Sequence, residues 1–169
     1  MKVVKNDIKY KKLIENFDCG NLSVNSFLKS NSFSDLDSTT YLWISEDEKD
    51  LIGFYSLSVG QINLDCLSIS SYLGGTIKIL YFAINYKYQH KKDEEGFSFG
   101  DWLLYDCEER IRELHKLIGF SFIMICSTEQ GYHFYLKNDY EEFESDMTTL
   151  VYESDKKCYK LYKSIEDIL

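Results

Sequence analysis

The 169-residue chain contains no proline. Proline-rich linkers and cis-proline turns are therefore excluded. No run of about 18 apolar residues occurs, so no membrane-spanning helix is expected. The N-terminus, MKVVKNDIKYKK, lacks the apolar stretch and small-residue cleavage site of a secretion signal, and a cytoplasmic location is the expectation. No CxxC pair exists. The five cysteines, at 19, 66, 107, 126 and 158, are odd in number and scattered, which speaks against a disulfide framework or a zinc knuckle. Cys107, Cys126 and Cys158 lie in apolar patterns and read as reduced, packed thiols. Positive charge is scarce: 19 Lys and Arg stand against 28 Asp and Glu, a net charge of -9. That balance argues against broad binding to nucleic acid or an anionic membrane. The three histidines, at 90, 115 and 133, have no neighbour at metal-ligand spacing, so no metal site is expected. GxGxxG, GxxxxGK[ST] and GxSxG are all absent.

What is present is ordinary for one globular domain, residues 1–169, with a core of its own: 44% hydrophobic and 28% charged residues. Aromatic residues are plentiful, with 14 Tyr, 11 Phe and 2 Trp. That content suits a homodimer face.

Along the chain, residues 8–17 read as a short strand or an entering segment, and DCGN at 18–21 as a turn. Asn21 or Ser23 could cap a helix whose apolar face is Leu22, Val24, Phe27 and Leu28. Residues 39–45 and 51–62 read as the two arms of a hairpin around EDEKD, with Gly53 and Gly60 marking a bulge or a close approach. The LGGT at 73–76 is expected to turn, and TIKILYFAIN at 76–85 to form a central strand. After a loop with the charged insert KKDEEG at 91–96, Leu103, Cys107, Ile111, Leu114 and Ile118 share one helical face, with Gly119 as the stop. FSFIMIC at 120–126 reads as a buried strand and 129–137 as a short helix. A short strand at 140–143, an apolar TTLVY at 148–152 and a terminal strand at 158–165 follow. A crossover from 76–85 through the helix to 120–126 places those strands parallel. The fold expected is α+β, with a mixed central sheet.

A loop that delivers a strand into a helix offers backbone N–H groups and a helix dipole to a phosphate. Ser98 and Gly100 are small enough to admit a ligand there. Asp93, Glu94, Glu95 and Asp101 work against an anion, and Lys91 and Lys92 offset them in part.

The ordered pattern resembles the GCN5-related N-acetyltransferase superfamily over nearly the whole chain. FDCGNLSVNSFL at 17–28, TTYLWIS and LIGFYSLSVGQI are most similar to the subgroup holding acetyltransferase toxins and their stand-alone relatives. The resemblance implies a three-layer α/β/α sandwich, the acyl-CoA N-acyltransferase fold, with acetyl-CoA as cosubstrate. LYFAIN at 80–85 resembles the strand that precedes the pyrophosphate loop. Tyr88 and Gln89 match the loop's start, and Ser98, Gly100, Leu103 and Leu104 its end, with an insertion between. Ser98 stands at the usual first glycine. A second registration puts Glu95 at the Gln/Arg position. The resemblance implies that Phe82, Ala83 and Ile84 hold the pantetheine arm, and that Gln89, Phe97, Ser98, Phe99, Gly100 and Asp101 lie around the pyrophosphate. GYHFYLKNDYEEF at 131–143 resembles the later motif: Tyr135 falls on the general-acid tyrosine, and Asp139 and Tyr140 fall on a Gly-Phe pair.

The implied reaction moves acetyl from acetyl-CoA to a primary amine, with Tyr135 protonating the departing thiolate; a phenol near pKa 10 suits that task. Tyr132 is the nearest rival. Glu129 and His133 are the nearest candidates for a base. The acceptor is an amine-bearing small molecule, peptide or protein. The alternatives are a toxin acting on aminoacyl-tRNA, which the net charge disfavours, and a degenerate, non-catalytic acetyl-CoA-binding or interaction protein. A tRNA user needs a basic groove, for which Lys5, Lys9, Lys11, Lys12 and Lys29 are the candidates.

Overall fold

The computed structural model describes residues 2–66, 69–150 and 158–169. Two compact units emerge: Met1–Leu57 with Leu80–Glu109, and Ser58–Ile79 with Arg110–Leu169. Two long strands, β3 (Leu51–Cys66) and β4 (Ile69–Ile84), contribute residues to both.

In the first unit β1 (Lys2–Lys5) lies antiparallel to β2 (Ser38–Ile44), from Lys2↔Ile44 to Lys5↔Tyr41. Residues 8–17, read as a short strand or an entering segment, are helical over 8–15: a 3-10 turn at Ile8–Tyr10 leads into α1 (Lys11–Glu15). The Asp7 side chain accepts the Lys9 N–H and starts that turn, and burying Ile14 and Phe17 together needs the three-residue spacing of a helix. The second helix, α2 (Leu22–Ser26), is capped by Asn21, whose side chain accepts the N–H groups of Ser23 and Val24. It runs on into a π-helical turn, Phe27–Asn31. Phe27 and Leu28 are buried as expected, while Leu22 is 87% exposed and drops out of the apolar face. These elements close over Leu42, Ile44, Leu51, Phe54 and Ala83 to make the unit's core. Phe17 meets Phe54 edge-on, with ring centroids 5.4 Å apart.

The LGGT turn does not form; Gly74 and Gly75 lie inside β4. The pair admits a close neighbour instead, since a Cβ on Gly74 would stand 2.8 Å from the Phe122 ring. The long helix α3 (Phe99–His115) stops before Ile118. Leu103, Cys107 and Ile111 are fully buried, whereas Ile118 is half exposed, so the fully buried stripe ends at Ile111.

In the second unit β4 pairs in parallel with β5 (Phe122–Ser127), from Thr76↔Phe122 to Ile79↔Ile125. This is the expected parallel pair. β5 in turn pairs antiparallel with β8 (Tyr159–Ser164), and β8 with the two-residue β6 (Glu141–Glu142). A further short strand, β7 (Met147–Thr148), pairs antiparallel with Asn63 and Leu64 of β3. Between β5 and β6 runs α4 (Glu129–Lys137), begun by Thr128, whose hydroxyl accepts the Gly131 N–H. Part of the expected TTLVY segment, residues 151 and 152, lies outside the described residues. Among the described residues the cysteines form no disulfide, no acid, His and Cys cluster could hold a metal, and no helix is long and apolar enough to cross a membrane.

Candidate functional site

The first unit brings together the end of β4, the 85–98 loop and the start of α3. The β4–β5 ladder ends at Ile79↔Ile125 and does not extend to Phe82, Ala83 and Ile84. On the other side Asn85 donates its N–H to Ile52 O (2.8 Å) and its side-chain amide to Leu51 O (3.1 Å). Those bonds fix where the strand stops. Gln89 then turns inward. Its amide donates to Ile84 O (2.8 Å) and to Cys19 O (3.0 Å), which ties the loop to the 18–21 turn.

The insert folds back on itself. Lys92 and Ser98 form an antiparallel bridge around a turn with Gly96 at φ 91°. The Asp93 carboxylate is its hub. It accepts the N–H groups of Glu95 (3.0 Å) and Phe97 (2.8 Å) and the indole N–H of Trp102 (2.7 Å). The indole bond, followed by the backbone donors, holds the Asp93 carboxyl below its ordinary range. Ser98 and Asp101 close the first turn of α3 as a reciprocal cap. Of the N–H groups expected to receive a pyrophosphate, Phe97, Ser98 and Asp101 thus already donate within the chain. Phe99 and Gly100 at the helix start are not taken by any of these bonds. Two carboxylates, Asp93 and Asp101, stand where the dipole would draw an anion. The donor set fits a phosphate at two positions; the local charge opposes it.

In the second unit Tyr135 sits on the last turn of α4 and is 5% exposed. Its ring meets Tyr140 edge-on at 5.5 Å and Phe134 at 5.1 Å. One turn earlier, Gly131 keeps space beside it: a Cβ there would lie 3.4 Å from the Tyr135 ring and 2.9 Å from Ser127 Oγ. The backbone carbonyl of Tyr135 accepts the N–H groups of Asn138 and Tyr140, both near 3 Å (3.0 and 3.1 Å). Asp139 takes φ 64°, the region that favours glycine, and Tyr140 is 2% exposed. At the two positions that resemble a Gly-Phe pair, the chain thus has a backbone that suits glycine and a buried aromatic ring. Tyr132 is placed differently. Its hydroxyl donates to the Glu142 carboxylate, and that bond pushes its pKa up. Its proton is already engaged by an acid. Glu129 is exposed on the first turn of α4, and His133 is exposed beside Tyr132. Neither has a described hydrogen bond that would aim it at a substrate.

Sequence reasoning did not single out Trp102 or the role of Asp93. The signal was present: an Asp three residues before Gly, as in DEEG, is a turn signature whose side chain caps the next N–H groups.

Strand order, the parallel β4–β5 pair and the helices define the acyl-CoA N-acyltransferase fold, an α+β sandwich with a mixed sheet. The solved structures agree. The chain matches over 99% of its length a bacterial toxin, with TM-score 0.75, 18% identity and 93% of that chain covered. It matches AtaTR bound with acetyl-CoA at 0.76 and 15%, over 99% of this chain and 95% of that one. A third match is a tyrosine-to-phenylalanine variant of KacT, at 0.74 and 16%, over 99% and 96%. At these identities the likeness establishes the fold. No protein-family model matches the chain, and no curated protein matches it by sequence.

Proposed function

We propose that the protein is a toxin-type N-acetyltransferase that moves acetyl from acetyl-CoA to the amino group of an aminoacyl-tRNA. Residues 1–169 act as one catalytic domain in the cytoplasm. The observation that carries the reading is the Tyr135 motif. A buried tyrosine ends α4, followed by a glycine-like backbone at Asp139 and a buried ring at Tyr140. The cosubstrate is supported by the fold shared with AtaTR bound with acetyl-CoA. The toxin class is supported by the neighbours named as toxins and by one complex with an antitoxin C-terminus and acetyl-CoA. An antitoxin-like protein is accordingly the partner to seek. These likenesses favour the tRNA alternative over a generic small amine. Lys5, Lys9, Lys11, Lys12 and Lys29 are all exposed, and none is in an ion pair among the described residues. They remain free to meet phosphates despite the net charge.

In the reaction the deprotonated amine attacks the thioester carbonyl, the C–S bond breaks, and the sulfur takes the Tyr135 proton. The amine's surplus proton leaves to water. The residues Phe82–Ile84 would align the pantetheine arm, and the N–H groups of Phe99 and Gly100 would meet the pyrophosphate once Asp93 and Asp101 give way. The test is turnover of acetyl-CoA with charged tRNA against a panel of free amines and peptides. Acetylation of charged tRNA alone supports the reading. Acetylation of free amines alone replaces it with a small-molecule transferase. Absence of both, with acetyl-CoA failing to raise the melting temperature, leaves a non-catalytic domain.

A further inference from the structure

The chain has two tryptophans, Trp43 and Trp102, and both line one cleft of about 440 Å3 within the first unit. Phe97 and Phe99 join them, and Glu46 and Asp93 bring carboxylates to the same walls. The aromatic rings stand in two pairs: Trp43 with Phe99 at 5.5 Å and Phe97 with Trp102 at 5.6 Å between centroids. The volume lies within the range of small-molecule sites, roughly 300–1,000 Å3.

Charge decides what such a cleft takes. The lining cation, Lys2, is already paired with Glu48. Glu46 and Asp93 therefore set the sign of the potential. Asp93 also accepts the Trp102 indole N–H. A carboxylate on that N–H pushes electron density into the indole and deepens the negative potential over its faces. Burial pressure on Asp93 is outweighed by this bond, so the carboxyl stays ionised through neutral pH. A phosphate-bearing ligand meets two like charges here. A bare inorganic cation meets mostly hydrocarbon. An alkylated ammonium or a guanidinium on an apolar body matches both the rings and the acids.

We propose that this cleft is a binding site for an organic cation carried on an apolar body, held by Trp43, Phe97, Phe99 and Trp102 and by the carboxylates of Glu46 and Asp93. The cleft shares Asp93, Phe97 and Phe99 with the loop of the acetyl-transfer reading, but binding of the cation there requires no acetyl transfer.

The probe is choline, titrated into the full chain without acetyl-CoA at constant ionic strength. Both tryptophans line the cleft, so intrinsic fluorescence reports directly on it. The neutral carbon isostere, 3,3-dimethylbutan-1-ol, has the same shape without the charge. A saturable change with choline is expected, with the isostere weaker by about tenfold or more. Butyltrimethylammonium, with a longer apolar body, binds more tightly than choline. The substitution Glu46→Gln, at an exposed residue, weakens choline by roughly threefold or more without loss of folding. Asp93→Asn weakens it further, and Glu46→Gln keeps the test valid if the 92–98 turn loosens. No saturable response to either cation overturns the proposal. So does an equal response to the isostere, or unchanged choline affinity in Glu46→Gln combined with Asp93→Asn.

Discussion

Ser98 and Asp101 hold each other in place at the start of α3. The Ser98 N–H and hydroxyl both donate to Asp101 Oδ2, at 2.9 and 2.8 Å, and the Asp101 N–H donates back to Ser98 Oγ at 3.1 Å. This cap satisfies helix donors that a nucleotide pyrophosphate would otherwise use, and it sets a carboxylate beside them. Two consequences differ in sign. Ser98→Ala removes the cap and lowers unfolding free energy by about 1 kcal/mol in urea denaturation. Asp101→Asn keeps a side-chain acceptor for the cap but deletes the charge. Acetyl-CoA should then bind roughly two- to fivefold more tightly by calorimetry. Weaker binding in Asp101→Asn would mean that the phosphates do not come to this helix end.

Tyr135, the proposed proton donor, and Tyr132, its nearest rival, stand in different surroundings. Tyr135 is buried beside Tyr140 and close against Gly131, while Tyr132 donates to Glu142. Tyr135→Phe keeps the ring packing, so acetyl-CoA affinity and melting temperature should hold. Turnover should fall about 10²–10⁴-fold, the usual contribution of a positioned proton donor. Tyr132→Phe should leave turnover within about twofold, since it removes only an exposed contact. Equal losses in both variants would take the proton-donor role away from Tyr135.

Most of the fold could be read from the residues, and the reasons for the misses are local. The Leu103, Cys107 and Ile111 stripe is a strong helical period, and all three are buried. The apolar 76–85 and 120–126 runs gave the parallel pair because a helix must connect them. Residues 8–17 misled because their apolar positions fit two periods over a segment too short to distinguish them. Gly74 and Gly75 read as a turn, yet in β4 they serve a close approach to Phe122 and Ser121. At the site, the resemblance of 131–143 pointed to Tyr135 and Asp139, and the structure gives the first a buried ring and the second a backbone that suits glycine. The charge arrangement was not. Whether Asp93 faces solvent or gathers three N–H donors depends on how the insert folds over α3.

That arrangement makes the 92–98 turn sensitive to acid. The Asp93 carboxyl lies below its ordinary value in the folded chain, first because of the Trp102 indole bond. A depressed carboxyl contributes stability above its unfolded pKa and loses it as pH falls through the folded one. The turn should therefore be intact at neutral pH and loosen in the acid range, below about pH 4. Trp102 emission in a Trp43→Phe background should shift across that range. Asp93→Asn should remove the shift while leaving the neutral-pH protein folded. A shift of the same size in Asp93→Asn would assign it to other acids.

Gly53 tests how closely β3 and the end of β4 must approach. A Cβ at this position would stand 2.8 Å from the Ala83 carbonyl oxygen and 3.0 Å from Leu103 Cδ2. The leucine can rotate, but the carbonyl belongs to a hydrogen-bonded strand and moves only with it. Gly53→Ala should therefore cost about 1–3 kcal/mol as overpacking, despite the better strand propensity of alanine. Gly119 supplies the control, because a Cβ there meets nothing within 4 Å; Gly119→Ala should be neutral or slightly stabilising. Ala83 is also a proposed contact for the pantetheine arm, so a shift of its carbonyl has a second readout. If that strand edge holds the cofactor, Gly53→Ala should weaken acetyl-CoA binding at temperatures where the variant is still fully folded. Gly119→Ala should bind it as the parent does. A folded Gly53→Ala with unchanged acetyl-CoA affinity would move the pantetheine contact away from Ala83.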